Sequence, residues 1–378
     1  MSDEGCVVVK VGTSSILNAE SGHLALSTLS SLVEVLSKMR ADGKRVVLVS
    51  SGAVGVGCTR LGVTKRPSGM AELQAMAAVG QPHLMAHYEM LFSALSQPIA
   101  QVLLTADTLG TRSGYLNAKA TFDALFALGV VPVVNENDTV AVNELRFGDN
   151  DTLSALVATL VGATHLFLCT DVDALYTSNP FAPPKEGVPP PEPIHVVPDV
   201  NEVMGVADGS GSQWGTGGMG TKLRAAQLAG AAGIATTIVH AQKPAAIAAV
   251  IGGARDVGTT FLPSPKAVRD PKRWVIALPA RGELHLDAGA AGAVKRGATL
   301  FAAGLQPNGV RGDFRESEAV KLLDEHGVEF ARGVANYAAE QARRLIGLRS
   351  DEMADALGFH GPEELVSRQN LALLTPAE

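Results

Sequence analysis

The sequence predicts an α/β protein: an open, mainly parallel sheet sandwiched by helices, then a small, mostly-β C-terminal domain. Three observations carry this. Short β-branched runs alternate with helix-spaced apolar segments through the first two-thirds of the chain. Most of those runs close on a small or polar turn. The alternation then stops at residues 261–271, where three prolines cluster, and short strand-like runs between glycine turns follow.

Taken in order, residues 6–11 (CVVVKV) read as a buried strand that turns at Gly12. Residues 24–39 carry Leu29, Leu32, Val33, Leu36 and Met39 at helical spacing, and Asp42-Gly43 stops them. Residues 45–49 (RVVLV) form a second strand, closed by Ser50-Ser51-Gly52. Strands are expected at 99–104 and 130–134, with a helix at 116–128 between them. A helix at 153–161, a strand at 166–169, a helix at 221–232 and a strand at 235–239 continue the rhythm. The stretch 178–212, with PFAPPKEGVPPPEP and DGSGS, reads as a surface excursion. Beyond it, 274–278, 283–286, 299–302 and 320–323 read as strands, with Pro307-Asn308-Gly309 as a turn. A polar helix at 335–345 and a helical appendage running to residue 378 complete the expectation.

Composition narrows the function. The 378 residues are 46% hydrophobic and 18% charged, enough apolar matter for a sizeable core. A net charge of −7 argues against a general nucleic-acid or membrane-surface binder. Cys6, Cys58 and Cys169 are scattered, without metal-ligand spacing or a disulfide framework, which fits a reduced cytoplasmic setting. The first residues, MSDEGCVVVK, do not read as a signal peptide, and no apolar run is long enough to span a membrane.

The candidate chemistry lies at the turns. Lys10, at the end of the first strand, either snorkels from the sheet rim or points into a ligand crevice. Ser50-Ser51-Gly52-Ala53 is small enough for a ligand to approach the backbone, or is a tight strand-to-helix turn. NENDT (135–139) and GDNDT (148–152) each place a carboxylate and an amide in a turn. Capping accounts for one acid among Asp149, Asn150 and Asp151 but not for two such clusters close together, which suit a small zwitterion. Thr170-Asp171 closes the strand LFLC, as a nucleotide contact or a plain turn. GTGGMGTK (215–222) has the glycines and lysine of a phosphate cradle, but Thr221-Lys222 ends it where a Walker A loop has Lys-Ser/Thr. The helix expected directly after it favours the cradle over a flexible linker. His83 and His87 lie four apart without a third ligand and are discounted as a metal site.

The ordered set VVVKVGTSSI, VLVSSGAVGVG, VVNENDTV, FGDNDTLSA, CTDVDALYT and GTGGMGTKLRAA resembles the amino acid kinase family, and within it the branch that phosphorylates glutamate. The likeness covers nearly all of residues 5–260. GELHLDAGAAGAV, GATLFAAGL and ARGVANYA resemble a PUA domain. The resemblance implies an amino acid kinase domain over 1–262, a linker over 263–272, a PUA-like domain over 273–358 and a tail over 359–378. It implies transfer of the γ-phosphoryl group of ATP to the γ-carboxylate of L-glutamate, yielding L-glutamyl 5-phosphate and ADP, the first step toward proline. Mg²⁺ is expected with the nucleotide, held mainly by its phosphates rather than by a protein metal site. Carried over residue by residue, Lys10, Asp151 and Lys222 would be catalytic. Ser51, Gly52, Asp138 and Asn150 would bind glutamate. Lys10, Thr170, Asp171, Thr216, Gly217, Gly218, Met219, Gly220, Thr221 and Lys222 would bind ATP. Proline as a feedback inhibitor and a homo-oligomer, dimer or tetramer, are further family expectations. The chain departs from the family pattern at Asp173-Ala174, where an Asp-Gly pair is usual. From Pro271 onward 13 Lys/Arg face 15 Asp/Glu, a balance that disfavours RNA and suits a structural or regulatory domain. Two alternatives stay open: an RNA-associated protein with an incidental kinase fold, and a sibling kinase acting on another small acid.

Overall fold

The computed structural model describes residues 5–18, 22–105, 108–109, 112–141, 149–178, 180, 189–206, 218–264, 272, 275–276, 278 and 280–374. The chain divides into two compact units. The first takes Met1–Thr105, Lys119–Gly230 and Ile234–Pro263; the second takes Ala106–Ala118, Ala231–Gly233 and Ser264–Glu378.

The larger sheet runs in chain order through β1 (Cys6–Val11), β2 (Arg45–Ser50), β3 (Ile99–Leu104), β4 (Val131–Glu136), β5 (His165–Thr170), β8 (Val196–Val197), β9 (Ala235–His240) and β10 (Thr259–Phe261). Leu175–Tyr176 and Pro193–Ile194 form a separate hairpin pair, β6 and β7. The spatial order is β3-β4-β2-β1-β5-β9-β10-β8. Every pairing from β3 to β9 is parallel, and β10 runs antiparallel to β9. The chain therefore lays β2, β4 and β3 on one side of β1 and β5 and β9 on the other. That reversal makes β1 the switch point, where ligands gather beyond the strand C-termini.

Helices cover both faces because the β1 sequence is apolar on both. Val7, Val9 and Val11 pack with α2 (Leu26–Ala41), α4 (Met70–Ser93) and α8 (Ala245–Ile251), numbering helices in chain order. Alternation then turns Val8 and Lys10 to the opposite face, where α6 (Asn150–Leu160) lies against β1, β2 and β5. The other helices of this region are α1 (Thr13–Ile16), α3 (Ala53–Arg60), α5 (Arg112–Ala127) and α7 (Met219–Ala231). Helices α3 and α4 touch backbone to backbone. A Cβ on Gly57 would sit 1.9 Å from the Met76 carbonyl oxygen, and one on Gly80 would sit 1.8 Å from that of Ala53. Among the described residues no helix is long and apolar enough to cross a membrane.

The second unit holds a five-stranded sheet in the order β12-β11-β13-β14-β15. Its strands are β11 (Gly282–Leu286), β12 (Leu305–Gly312), β13 (Ala319–Leu323), β14 (Glu329–Val334) and β15 (Leu371–Leu373), and its helices α9 (Ala288–Lys295), α10 (Ala339–Leu345) and α11 (Ser350–Leu357). Leu284, Leu286, Val320, Leu322, Phe330 and Leu345 lie in one buried core. The buried Arg332 guanidinium holds Glu329 at 2.9 Å and donates to the carbonyls of Ile276 and Leu278 at 3.0 and 3.1 Å.

Several expectations are corrected here. Val275 and Ile276 are helical rather than extended, with backbone carbonyls in this stretch capped by Arg332 instead of a neighbouring strand. Residues 299–302 give only an isolated bridge from Leu300 to Val366, followed by a 3₁₀ turn at Ala302–Gly304. Pro307-Asn308-Gly309 lies inside β12, where Asn308 takes φ of 60° and the pairing with β11 shifts register. The polar helix begins at Ala339, because β14 runs on to Val334. Past α11 the expected helical appendage supplies the edge strand β15, paired antiparallel to β14. The excursion at 178–212 contains β7 and β8 and a 3₁₀ stretch at Val200–Val206; residues 181–188 and 207–212 lie outside the described residues.

Candidate active site

The site assembles at the C-terminal end of β1. Lys10 leaves that strand on the α6 face and is 5% exposed. Helix α6 starts where it does because Asp149 caps it: its carboxylate accepts from the Thr152 amide at 2.7 Å and from the Thr152 hydroxyl at 3.1 Å. Of the three cap candidates, Asp149 therefore does the capping. That leaves Asn150 and Asp151 in the first turn, aimed at the strand ends. Asp151 is 0% exposed and forms an ion pair with Lys10 Nζ at 2.6 Å through Oδ1. Its Oδ2 takes the Thr221 hydroxyl at 2.7 Å and Lys222 Nζ at 3.3 Å. Lys222 is 6% exposed.

Three distant chain segments thus converge on one carboxylate. With its one proton on Asp151, Thr221 Oγ1 also accepts from the Gly218 amide at 3.1 Å. This locks the turn leading into α7. Burial pushes the Asp151 carboxyl upward. The ammonium of Lys10 foremost, then that of Lys222 and the hydrogen bonds from Lys10 and Thr221, outweigh it and hold the group down at about 2. Asp149 moves the other way, raised first by burial and secondarily by its neighbour Asp151. Burial also pushes the Cys169 thiol, at the end of β5, up to about 12, so it stays neutral and unreactive.

Both lysine amines meet Asp151, and Asp149 beside it also interacts with Lys10. The arrangement can receive an oxyanion and delocalise its charge. On the β2/β4 side, Asn150 Nδ2 faces Ser51 Oγ at 2.8 Å, Asn135 Oδ1 at 2.9 Å and the Ser50 carbonyl at 3.2 Å. Gly52 takes φ of 105° before α3, and a Cβ there would meet Ile16 Cδ1 at 2.4 Å, so glycine is required. Asp138 is half-buried in the turn after β4. On the β5/β9 side, Thr170 is buried and donates to the exposed Asp171 at 3.0 Å.

The structure therefore brings Lys10, Asp151, Thr221 and Lys222 into direct contact, and Ser51 with Asn150. Gly218 touches Thr221, and Met219 and Gly220 open α7; Thr216 and Gly217 lie outside the described residues. Sequence reasoning missed a second layer. Asn135 donates to Gln81 at 2.9 Å, Gln74 donates to the Ala141 carbonyl at 3.1 Å, and the Tyr88 and Ser50 hydroxyls meet at 2.8 Å. Gln74, Gln81 and Tyr88 recur every seven residues on α4, a polar stripe that the sequence displays.

A model of the amino acid kinase family matches residues 5–240, and a PUA-domain model matches residues 282–357. The chain is 51% identical over 370 residues to the glutamate 5-kinase of Synechococcus elongatus, covering 97% of this chain and 99% of that one. It is 52% identical over 372 residues to the glutamate 5-kinase of Trichormus variabilis, with 97% and 99% covered. Against that of a Synechocystis species the identity is 49% over 369 residues, with 97% of each chain covered.

Proposed function

This chain belongs to the amino acid kinase family, and from that premise we infer its reaction: ATP-dependent phosphorylation of the γ-carboxylate of L-glutamate, giving L-glutamyl 5-phosphate and ADP, the first step of proline biosynthesis. The observation that carries the mechanism is the pair of buried ammonium groups, Lys10 and Lys222, held on Asp151.

A side-chain carboxylate with a pKa of about 4.3 is already ionised at neutral pH, so the nucleophile needs no general base. The obstacle is bringing two anions together. Lys10 and Lys222 neutralise the oxygens of the travelling phosphoryl group, where charge spreads in the transition state. Asp151 acts as a positioning residue, fixing both amines without contacting substrate. Ser51, Gly52, Asp138 and Asn150 hold glutamate on the β2/β4 side. Thr170, Asp171 and the loop 216–222 hold ATP on the β5/β9 side, with the amides opening α7 turned toward phosphate.

The donor set suits a Mg²⁺ that arrives on the ATP phosphates. Among the described residues no group of three or more His, Cys, Asp or Glu side chains forms a cage, and Asp151 is already committed to two ammoniums. With the nucleotide bound, the ion would add its positive charge to that of Lys10 and Lys222 at the phosphoryl group. Proline inhibition, assembly as a dimer or tetramer, and a cytoplasmic setting belong to the same reading and are carried by kinship alone. Competition kinetics against glutamate, light scattering and cell fractionation test them.

The direct test traps the acyl phosphate. With ATP, Mg²⁺ and hydroxylamine, hydroxamate is expected from L-glutamate and not from aspartate or N-acetylglutamate. No hydroxamate from any carboxylate would overturn an acyl kinase. Lys222→Ala should lower kcat by about 10³-fold while the glutamate KM changes by less than about threefold. An unchanged kcat would remove Lys222 from the mechanism.

A further inference from the structure

Helix α4 reaches the substrate end of the site at three points spaced one heptad apart. Gln74 donates to the carbonyl of Ala141, closing the turn that carries Asp138. Gln81 accepts from Asn135 Nδ2. Tyr88, fully buried, shares a hydrogen bond with Ser50 at the end of β2. Seven residues are nearly two helical turns, so the three side chains form one stripe. The stripe can reach the strand ends because α4 is pressed against α3 at Gly57 and Gly80, the residue next to Gln81.

The middle contact sets a direction. A primary amide offers hydrogens from one end and lone pairs from the other. Gln81 presents its Oε1 to Asn135 Nδ2, and the Glu136 amide takes Asn135 Oδ1, so the two contacts together fix the direction of the Asn135 amide. Asn135 Oδ1 then faces the site, where it accepts from Asn150 Nδ2 and from the Glu136 amide. Asn150 Nδ2 is consumed by Asn135, Ser51 and the Ser50 carbonyl. Asn150 is left with Oδ1, a pure acceptor without a protein partner among the described residues. The ammonium group of an amino acid is the donor that fits it.

We propose that the Gln74–Gln81–Tyr88 stripe of α4 is the positioning element of the amino-acid subsite, and that Gln81, acting through Asn135, orients Asn150 so that its Oδ1 accepts from the substrate ammonium group. This rests on the glutamate-kinase reading above and deepens it. Gln81 touches no substrate. Its effect is confined to a single group on one substrate.

The experiment compares Gln81→Met, which keeps length and loses the acceptor, with Gln81→Glu, which keeps an acceptor oxygen. Glutamate and its deamino analogue glutarate are measured side by side, glutarate as a substrate or as an inhibitor competing with glutamate. Gln81→Met should raise the glutamate KM about tenfold, as for a lost hydrogen bond to a charged group, and leave kcat and the ATP KM within about twofold. The glutarate constant should stay unchanged, because it carries no ammonium group. Gln81→Glu should restore part of the glutamate KM. Equal losses for glutamate and glutarate, or a loss shared with ATP, would overturn the proposal in favour of a merely structural glutamine. Should Gln81→Met fail to fold, Gln81→Leu replaces it in the same comparison, and Gln74→Leu tests the stripe separately, being expected to weaken glutamate binding and spare ATP. A wild-type chain that makes no hydroxamate from glutamate defeats the parent reading instead. A wild-type chain active on glutamate whose Gln81→Met variant keeps its KM defeats only this inference.

Discussion

Both units of this chain bury ionic groups, and they do so in opposite ways. In the second unit Arg332 pairs with Glu329 through Nε and donates from Nη1 to the carbonyls of Ile276 and Leu278. The cluster acts as a clamp on the segment before β11. In the first unit one carboxylate, Asp151, faces the two ammoniums of Lys10 and Lys222. Both amines lie at the end of β1, where an incoming anion can meet them. A buried arginine that also holds backbone carbonyls is architecture, whereas paired amines gathered at a strand end can serve as a receptor.

The largest expected effect breaks the Asp151 cluster. Asp151→Asn strips both ammoniums of their partner, and should cost about 3–5 kcal/mol of stability as well as turnover. Denaturant titration beside the hydroxamate assay checks it. Retained stability would mean that the lysines do not depend on this carboxylate.

A smaller effect is expected in the Arg332 cluster. Arg332→Met removes a buried ion pair and the donor to two carbonyls, and should lower the stability of the second unit by about 3 kcal/mol while glutamate phosphorylation stays within about twofold. Denaturant titration and the hydroxamate assay read the two; unchanged stability would mean that Arg332 does not clamp this segment.

The smallest effect is read by acid. Asp151 titrates near 2 when folded, against 3.8 as the ordinary value. A depressed carboxyl stabilises the fold fully above its ordinary value and loses that contribution as pH falls toward about 2, for roughly 2 kcal/mol in all. Comparing the acid unfolding curves of wild type and Asp151→Asn isolates this contribution. Parallel curves between pH 4 and pH 2 would argue that the ion pairs do not form in solution.

Much of the first unit was legible. A lysine closing an otherwise apolar strand, paired Asn/Asp clusters and a glycine run before a helix are local signals, and their contacts follow once β1 lies at the sheet's switch point. The amide layer was not legible as chemistry. Gln81 and Asn135 are 54 positions apart, and a glutamine on a helix looks like ordinary surface until its partner is known. In the second unit local propensity misled. The WVIAL run reads as a strand, yet Val275 and Ile276 are helical beside the Arg332 clamp, a tertiary contact that no window reveals. The three residues of β15 are too short to show a period, and pairing with β14 alone defines them.

The seam between α3 and α4 has a consequence for how variation in this protein should be interpreted. Because Gly57 and Gly80 leave no room for even a methyl group, alanine at either position would push the two helices apart and carry Gln81 away from Asn135. Such a change meets neither substrate, yet its symptom would be weakened affinity for the amino acid with nucleotide affinity spared. A genetic screen scoring growth without supplementation would then rank two packing glycines among the ligand contacts, and only the backbone geometry tells them apart.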